Sequence, residues 1–408
     1  MLSRIAYTRF SAAKCAQNFN STPHFTNQAA VIANQSNNKS DGLVLSEANF
    51  TESSPRFAAL LAWVASHVGA DFNIHKASED ASFRRYFRVS VSAGASAGAK
   101  TWVVMDAPPE REKCALFVRI ADMFAQAGLH APRIAAQDLE LGFLLLEDLG
   151  RSTYLQGLAA IFNPDPELEN TAQNKLAHSL FVDAIDALVQ WQLRSKPDVL
   201  PPYDEAVLRR EIQLFPDWYV VKHRNIVLSH AHQKIMSDAF NTIVQRSLNQ
   251  ALVFVHRDFM PRNLMICSAA APFNNPGILD FQDALYGPIS YDIAALFKDA
   301  FISWKEEQIL DWTIRYWEKA RKAKLPVPAD FSEFYADCEW MALQRHLKIL
   351  GLFARINYRD GKPNYLADTP RFIAYVRHTC DRYRALGPLL TVIDHIESTA
   401  AADVGYTF

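Results

Sequence analysis

The hydrophobic periodicity of the chain changes once, near Gly150, and that change restricts its fold more than any other feature. Before it, two runs rich in aromatic and β-branched residues, Ser82–Val91 ("SFRRYFRVSV") and Thr101–Ala107 ("TWVVMDA"), flank a small-residue loop and read as a hairpin. Two more short strands are expected at Ala135–Leu139 and Gly142–Leu146, and helices at Ser54–Val68 and Glu110–Leu129. The first of these helices has a capping Ser and then Pro; the second has acids in its first turn. After Gly150, apolar residues recur at helical spacing over Ala172–Arg194, Asp204–Lys222, Gln233–Asn249, Trp304–Lys324, Phe331–Ile356 and Pro370–Leu386. Two strand-like islands interrupt them, Ala251–His256 and Gly277–Phe281. The expectation is an α+β, bilobal fold: a small β-rich lobe over 54–150 and a large, mostly helical lobe over 151–408.

The first 53 residues stand apart. They are rich in Asn, Ser, Ala and Gln, and carry Arg4, Arg9, Lys14 and Lys39 before the first acid, Asp41. An acid-poor leader of this kind can resemble a transit peptide, but so few apolar groups cannot offset the entropy of ordering, and a disordered extension is expected. A net charge of −2 gives no field to draw the chain to nucleic acid or to an anionic membrane. No run approaches the ~18 apolar residues of a membrane span. The five cysteines form an odd set with no C-x-x-C, which argues against a disulfide framework and fits a reducing compartment, the cytoplasm. Nothing in the sequence implies an obligate protein partner.

The chemistry is concentrated in "FVHRDFMPRNLM", Phe254–Met265. Apolar residues at both ends anchor a polar centre holding His256, Arg257, Asp258 and Asn263. Phosphoryl transfer to a hydroxyl needs a carboxylate to accept the hydroxyl proton, and oxygen ligands for Mg²⁺ on the nucleotide phosphates. The kinase catalytic loop H-R-D-x-x-x-x-N supplies both, and every fixed position is present. Asp258 is the expected base and Asn263 an expected metal ligand. "ILDFQD" then places Asp280 at a strand end, where the metal-binding Asp of D-F-G falls, with Gln282 in place of the Gly. His256 is expected to make structural hydrogen bonds, since Asp258 already provides the base. Arg262 either reaches substrate or pins the loop.

"VHRDFMPRNLM", "ILDFQDALYGPISYDIAAL" and "FLLLEDLG" resemble the aminoglycoside phosphotransferase family, which has a protein-kinase-like fold. In that family's metal strand and following helix, Asp280, Asp283 and Asp292 fill the acidic positions; Asp292 falls at a helix start, where it can cap backbone N–H groups. Longer strings, including "VVMDAPPERE", "FPDWY" and "LQRHLKILGLFARINYRDGKPNYLADTPRFI", look like the anomeric sugar kinases of cell-wall recycling. The likeness runs from about Ala58 to Ile396 and leaves out the leader. It implies ATP and Mg²⁺ as cofactors and the C1 hydroxyl of N-acetylmuramate or N-acetylglucosamine, small amino sugars, as the acceptor. It also makes Glu147–Leu149 the connection that meets the adenine edge.

The sequence departs from the kinase pattern in two places. The turn expected to cover the phosphates has Ala81 and Ser82 but no Gly. "VVMD" puts Asp106 where V-A-I-K has its phosphate-binding Lys, an unfavourable neighbour for polyphosphate. Arg85 or Arg88 on the adjacent strand is expected to contact phosphate, positioned by Asp106. For the acceptor, Glu339, Arg345 and His346 sit among apolar residues at helical spacing, which is costly unless they are paired or functional. Arg345, His346, Arg262 and Asp283 are the substrate-binding candidates. Two other readings stay open: a kinase of another small hydroxyl compound, such as an aminoglycoside, choline or homoserine, and a nucleotide-binding pseudokinase with a regulatory role. An aminoglycoside pocket should be rich in acids, and the late helical segment instead mixes Arg, His and Lys with its acids.

Overall fold

The computed structural model describes residues 54–78, 83–91, 100–159, 171–267 and 275–402. The leader and the Ala81–Ser82 turn lie outside the described residues. Helix α1 (Pro55–Val68) starts where Ser54 accepts the Phe57 amide in its side chain, with Pro at the first position, where a missing N–H costs nothing. A five-stranded antiparallel sheet follows, built from β1 (Phe72–Ser78), β2 (Arg85–Val91), β3 (Lys100–Asp106), β4 (Ile134–Asp138) and β5 (Phe143–Glu147) in the order β1-β2-β3-β5-β4. Helix α2 (Cys114–Gln126) lies between β3 and β4 in sequence.

Strand alternation divides this sheet into two faces. Phe87, Val89, Val104, Phe143 and Leu145 join Leu60 and Val64 of α1 in one buried cluster. Met105, Leu144 and Leu146 point the other way and share the main core with Phe117, Ile120 and Phe124 of α2. The register Arg85↔Asp106 and Arg88↔Val103 then decides which charged side chains reach which face. β1 has no counterpart among the expected strands, because "FNIHKAS" lacks the aromatic and β-branched density that marks its neighbours.

The rest of the chain is helical around two short β pairs. Helices α3 (Tyr154–Ala159), α4 (Thr171–Gln192), α5 (Glu205–Ile212) and α6 (His230–Leu248) precede β6 (Leu252–Val255) and β7 (Leu264–Met265). Then come β8 (Gly277–Ile278), β9 (Leu285–Pro288), α7 (Tyr291–Phe297), α8 (Glu306–Lys322), α9 (Phe331–Asp360), α10 (Thr369–Arg382) and α11 (Gly387–Ala402). β6 pairs with β9 and β7 with β8, both antiparallel. The longest helix, α9, begins where Asp330 accepts the Ser332 amide and ends at left-handed Gly361.

The expected helix over Asp204–Lys222 is not continuous. α5 stops at Ile212, and Phe215–His223 winds as a π-helix. Pro216 has no N–H to return to the previous turn, so the α pattern fails there. α9 also approaches closely at this point: a Cβ on Gly351 would lie 2.1 Å from the Leu214 carbonyl carbon.

Candidate active site

The catalytic loop hangs between β6 and β7. Its backbone is pinned from behind by Asp292 in the first turn of α7. The buried Asp292 carboxylate accepts the amides of His256 at 2.7 Å and Arg257 at 3.0 Å. Asp292 thus caps the loop rather than its own helix. Burial pushes its carboxyl up to about 7, against the pull of those two amides. His256 is fully buried, and burial drives its imidazole down to about 4. A neutral ring can accept the Asp258 amide on Nδ1, at 3.3 Å.

Arg257 adopts φ +78°, in the left-handed region that non-glycine residues avoid. Its guanidinium reaches Glu211 of α5 at 2.6 Å. Glu211 is buried and also accepts from Lys348 of α9 at 2.9 Å and from the Tyr203 hydroxyl. Burial alone would raise its carboxyl, but Lys348 and Arg257 overcome this and hold it at about 2. Together Asp292 and Glu211 hold the strained residue immediately before Asp258.

On the open side, the Asp258 side chain is 39% exposed, with Arg345 Nη2 3.7 Å from its Oδ1. The Asn263 amide nitrogen donates to the Asp258 carbonyl at 2.9 Å and to Asp280 Oδ2 at 3.2 Å. Both bonds use the amide nitrogen and leave the Oδ1 lone pairs uninvolved. Asp280, at φ +64°, accepts from Gln282 on its other oxygen at 2.8 Å. An amide oxygen beside a carboxylate, with no nitrogen or sulfur ligand between them, is a donor set that suits a hard cation such as Mg²⁺. Asn263 and Asp280 are the residues that would hold it, and the ion would neutralise polyphosphate charge there.

These residues open into a cavity of about 480 Å³, within the range of small-ligand sites. At one end lie Tyr86, Arg88, Val103, Leu146 and the connection Glu147–Gly150; Asp258, Asn263 and Asp280 are in the middle. The other end has Phe301, Arg345 and an apolar wall of Ile349, Leu352, Phe353 and Ile356. Arg88 grips Asp148 at 2.7 and 2.9 Å and donates to the Gly150 carbonyl at 2.6 Å, tying β2 to the connection. The Glu147 carboxylate turns to Arg133 at 2.9 Å. Among the described residues the backbone of Leu149 makes no hydrogen bond, so its N–H and C=O are available to a ligand edge.

A profile of the phosphotransferase enzyme family matches residues 73–326. The chain belongs to that family. It is 47% identical over 326 residues to the N-acetylmuramate/N-acetylglucosamine kinase of Pseudomonas aeruginosa, covering 80% of this chain and 89% of that one. It is 43% identical over 339 residues to the enzyme of the same name from Neisseria meningitidis, covering 83% and 95%. Among solved structures, a choline kinase from Cryptosporidium parvum aligns over 83% of this chain and 99% of its own, with a TM-score of 0.52 and 13% identity. The GDP complex of an aminoglycoside 2'-phosphotransferase-IIIa aligns over 81% and 100%, at 0.52 and 10%. These neighbours establish the bilobal α+β fold.

In this phosphotransferase, several sequence-derived candidates fall outside the cavity. Asp106 shares the α1 face with Val104, where Arg56 at 2.7 Å and Arg85 both hold it. Neither Asp106 nor Arg85 lines the cavity. The neighbour of Asp106 on the α2 face, Met105, is apolar. Of the two arginines, Arg88 alone lines the cavity, positioned by Asp148 rather than Asp106. His346 is buried, stacked on Tyr375 at 4.8 Å with Nε2 3.3 Å from the Lys298 carbonyl. Asp283 is exposed and does not line the cavity either. Arg262 and Arg345 do line it. Glu211 was missed because a lone Glu in a short amphipathic helix carries no motif.

Proposed function

We propose that this phosphotransferase transfers the γ-phosphate of ATP to the anomeric (C1) hydroxyl of N-acetylmuramate or N-acetylglucosamine, in the cytoplasmic recycling of peptidoglycan. Asp258 accepts the C1 hydroxyl proton as the C1 oxygen bonds to the γ-phosphorus, and the bond to the bridging β-phosphate oxygen breaks to release ADP. Asn263 and Asp280 hold Mg²⁺. Leu149 offers its backbone to the base, and Glu147 and Arg88 shape that end. The acceptor end supports an amino sugar over an aminoglycoside: among the described residues it holds Arg262, Arg345 and an apolar wall, and no acid beyond the central Asp258 and Asp280. A polycation would meet arginine there, whereas a neutral or monoanionic N-acyl sugar meets groups it can use. The relatives' names point to the same two sugars.

ADP release across N-acetylmuramate, N-acetylglucosamine, choline and kanamycin tests this directly. Turnover with the two sugars is expected, together with loss of reducing-end reactivity in the product, since a C1 phosphate blocks ring opening. Turnover with choline or kanamycin alone would refute the assignment.

A further inference from the structure

We propose that Arg262 is the carboxylate-binding residue of the acceptor site, the group that recognises the 3-O-lactyl acid of N-acetylmuramate. This rests on the amino-sugar reading above. Arg262 lies in a 3-10 turn, Pro261–Asn263, fixed between Asp258 and Asn263. Its guanidinium is held over the Phe301 ring, 5.0 Å from the centroid, and lines the cavity. Among the described residues it makes no ion pair and no hydrogen bond. A stacked guanidinium is pre-organised and keeps its fork of donors free for a planar anion.

The other cavity cations among the described residues stand elsewhere. Arg88 is spent on Asp148. Arg151 is exposed next to Gly150, at the nucleotide end. Arg345 is buried with Nη2 facing the Asp258 carboxylate, so it stands beside the reacting hydroxyl. The C1 hydroxyl must sit within hydrogen-bond reach of Asp258. The lactyl group leaves the ring two carbons further on, so its carboxylate falls away from Asp258 and Arg345. Arg262 is the remaining cation at that end, and the neighbouring wall of Phe301 and Leu352 excludes water and strengthens the pairing. N-acetylglucosamine carries hydrogen on that oxygen and gains nothing from Arg262. One site can then take both sugars, with a separate contact for the acid.

The test is a cycle between enzyme and substrate. Wild type, Arg262→Gln and Arg262→Lys are assayed with N-acetylmuramate, its methyl ester and N-acetylglucosamine, with ATP varied. In Arg262→Gln, kcat/KM for N-acetylmuramate is expected to fall roughly tenfold to a hundredfold relative to that for N-acetylglucosamine. Arg262→Lys should recover part of that ratio, keeping the charge but losing the fork. Esterification should impose a similar loss on wild type and little further loss on Arg262→Gln, because the coupling has already gone. Equal losses on both sugars, a parallel rise in the KM for ATP, or additive effects of ester and substitution would each overturn the proposal. So would a wild type that uses N-acetylglucosamine and ignores N-acetylmuramate. A wild type inactive on both sugars would instead defeat the amino-sugar reading and this inference with it. The Arg262 assignment is read only in the ratio. Thermal unfolding and ATP binding of each variant identify a misfolded protein.

Discussion

Replacing Glu211 by Gln tests whether the catalytic loop depends on the network behind it. Glu211 is buried and carries Arg257 at 2.6 Å and Lys348 at 2.9 Å. Its carboxyl falls from the ordinary 4.5 to about 2, because the two cations outweigh burial. That lowering corresponds to a few kcal/mol of favourable interaction, on the order of 3 kcal/mol. The folded pKa lies below the unfolded one, so this stability is fully present above pH 4.5 and is lost as pH falls towards 2. The amide keeps the shape and removes the charge, leaving two cations uncompensated, which independently predicts a loss of about 3–5 kcal/mol. Urea unfolding at pH 7.5 should register a loss of that size. Arg257 keeps its backbone bond to Asp292 and its 3.5 Å contact with the Asp283 carbonyl but loses its charged partner, which is expected to loosen its side chain and shift Asp258. A displacement near 1 Å at such a group lowers kcat by roughly tenfold to a hundredfold. The KM for ATP should change little, since the nucleotide end of the cavity does not touch Glu211. An unchanged unfolding midpoint together with an unchanged kcat would refute the reasoning.

Asp258→Ala should lower kcat by about 10²–10⁴-fold while ATP binding, read by calorimetry, survives; near-normal turnover would sink the mechanism. His256 has a folded pKa of about 4 against an ordinary 6.5, so its contribution is present above pH 6.5 and disappears as pH falls towards 4. That amounts to at most about 3 kcal/mol, opposed over part of the window by Asp292, whose raised carboxyl binds a proton in the folded state. His256→Gln should therefore lose less stability than wild type between pH 7.5 and 5, measured by urea midpoints; an equal loss would remove His256 from the account. Gly351→Ala should destabilise by about 3 kcal/mol or more, because its Cβ would meet the Leu214 backbone at 2.1 Å and backbone cannot give way as a side chain can. A thermal midpoint within a degree of wild type would count against that packing.

The juxtaposition of Asp258, Asn263 and Asp280 was legible because it is local. Asp258, Asn263 and Asp280 come together through a short turn and one adjacent β pair, so spacing in sequence nearly fixes spacing in space. The lobe change at Gly150 was legible for a similar reason: each period reports the environment of its own element. Alternation correctly separated Arg85 from Arg88, but only the β2–β3 register could say which face met the cavity. The string match put Asp106 at the phosphate position, whereas the β2–β3 register puts it on the α1 face, paired with Arg56 and Arg85.

What could not be read are the contacts that make the loop competent. Asp292 reaches His256 across 36 residues, Glu211 reaches Arg257 across 46, and Arg345 reaches Asp258 from the far helix α9. Each joins groups far apart in the chain, so spacing along the sequence does not reveal the pair, even where, as at Asp292, the residue itself stood out. The polar residues of α9 looked alike in sequence, yet they take different parts. Glu339 is satisfied by Arg382 and Tyr383, His346 packs on Tyr375, Lys348 supports Glu211, and Arg345 alone of these lines the cavity. Burying a polar group demands a partner, and that demand can be read from sequence. Which partner meets it depends on how that helix is rotated against those packed around it. A single helix thus supplies the apolar wall of the cavity, the cation beside Asp258 and the lysine that holds Glu211, so on the proposed function a shift of α9 would change acceptor contacts and the setting of Asp258 together.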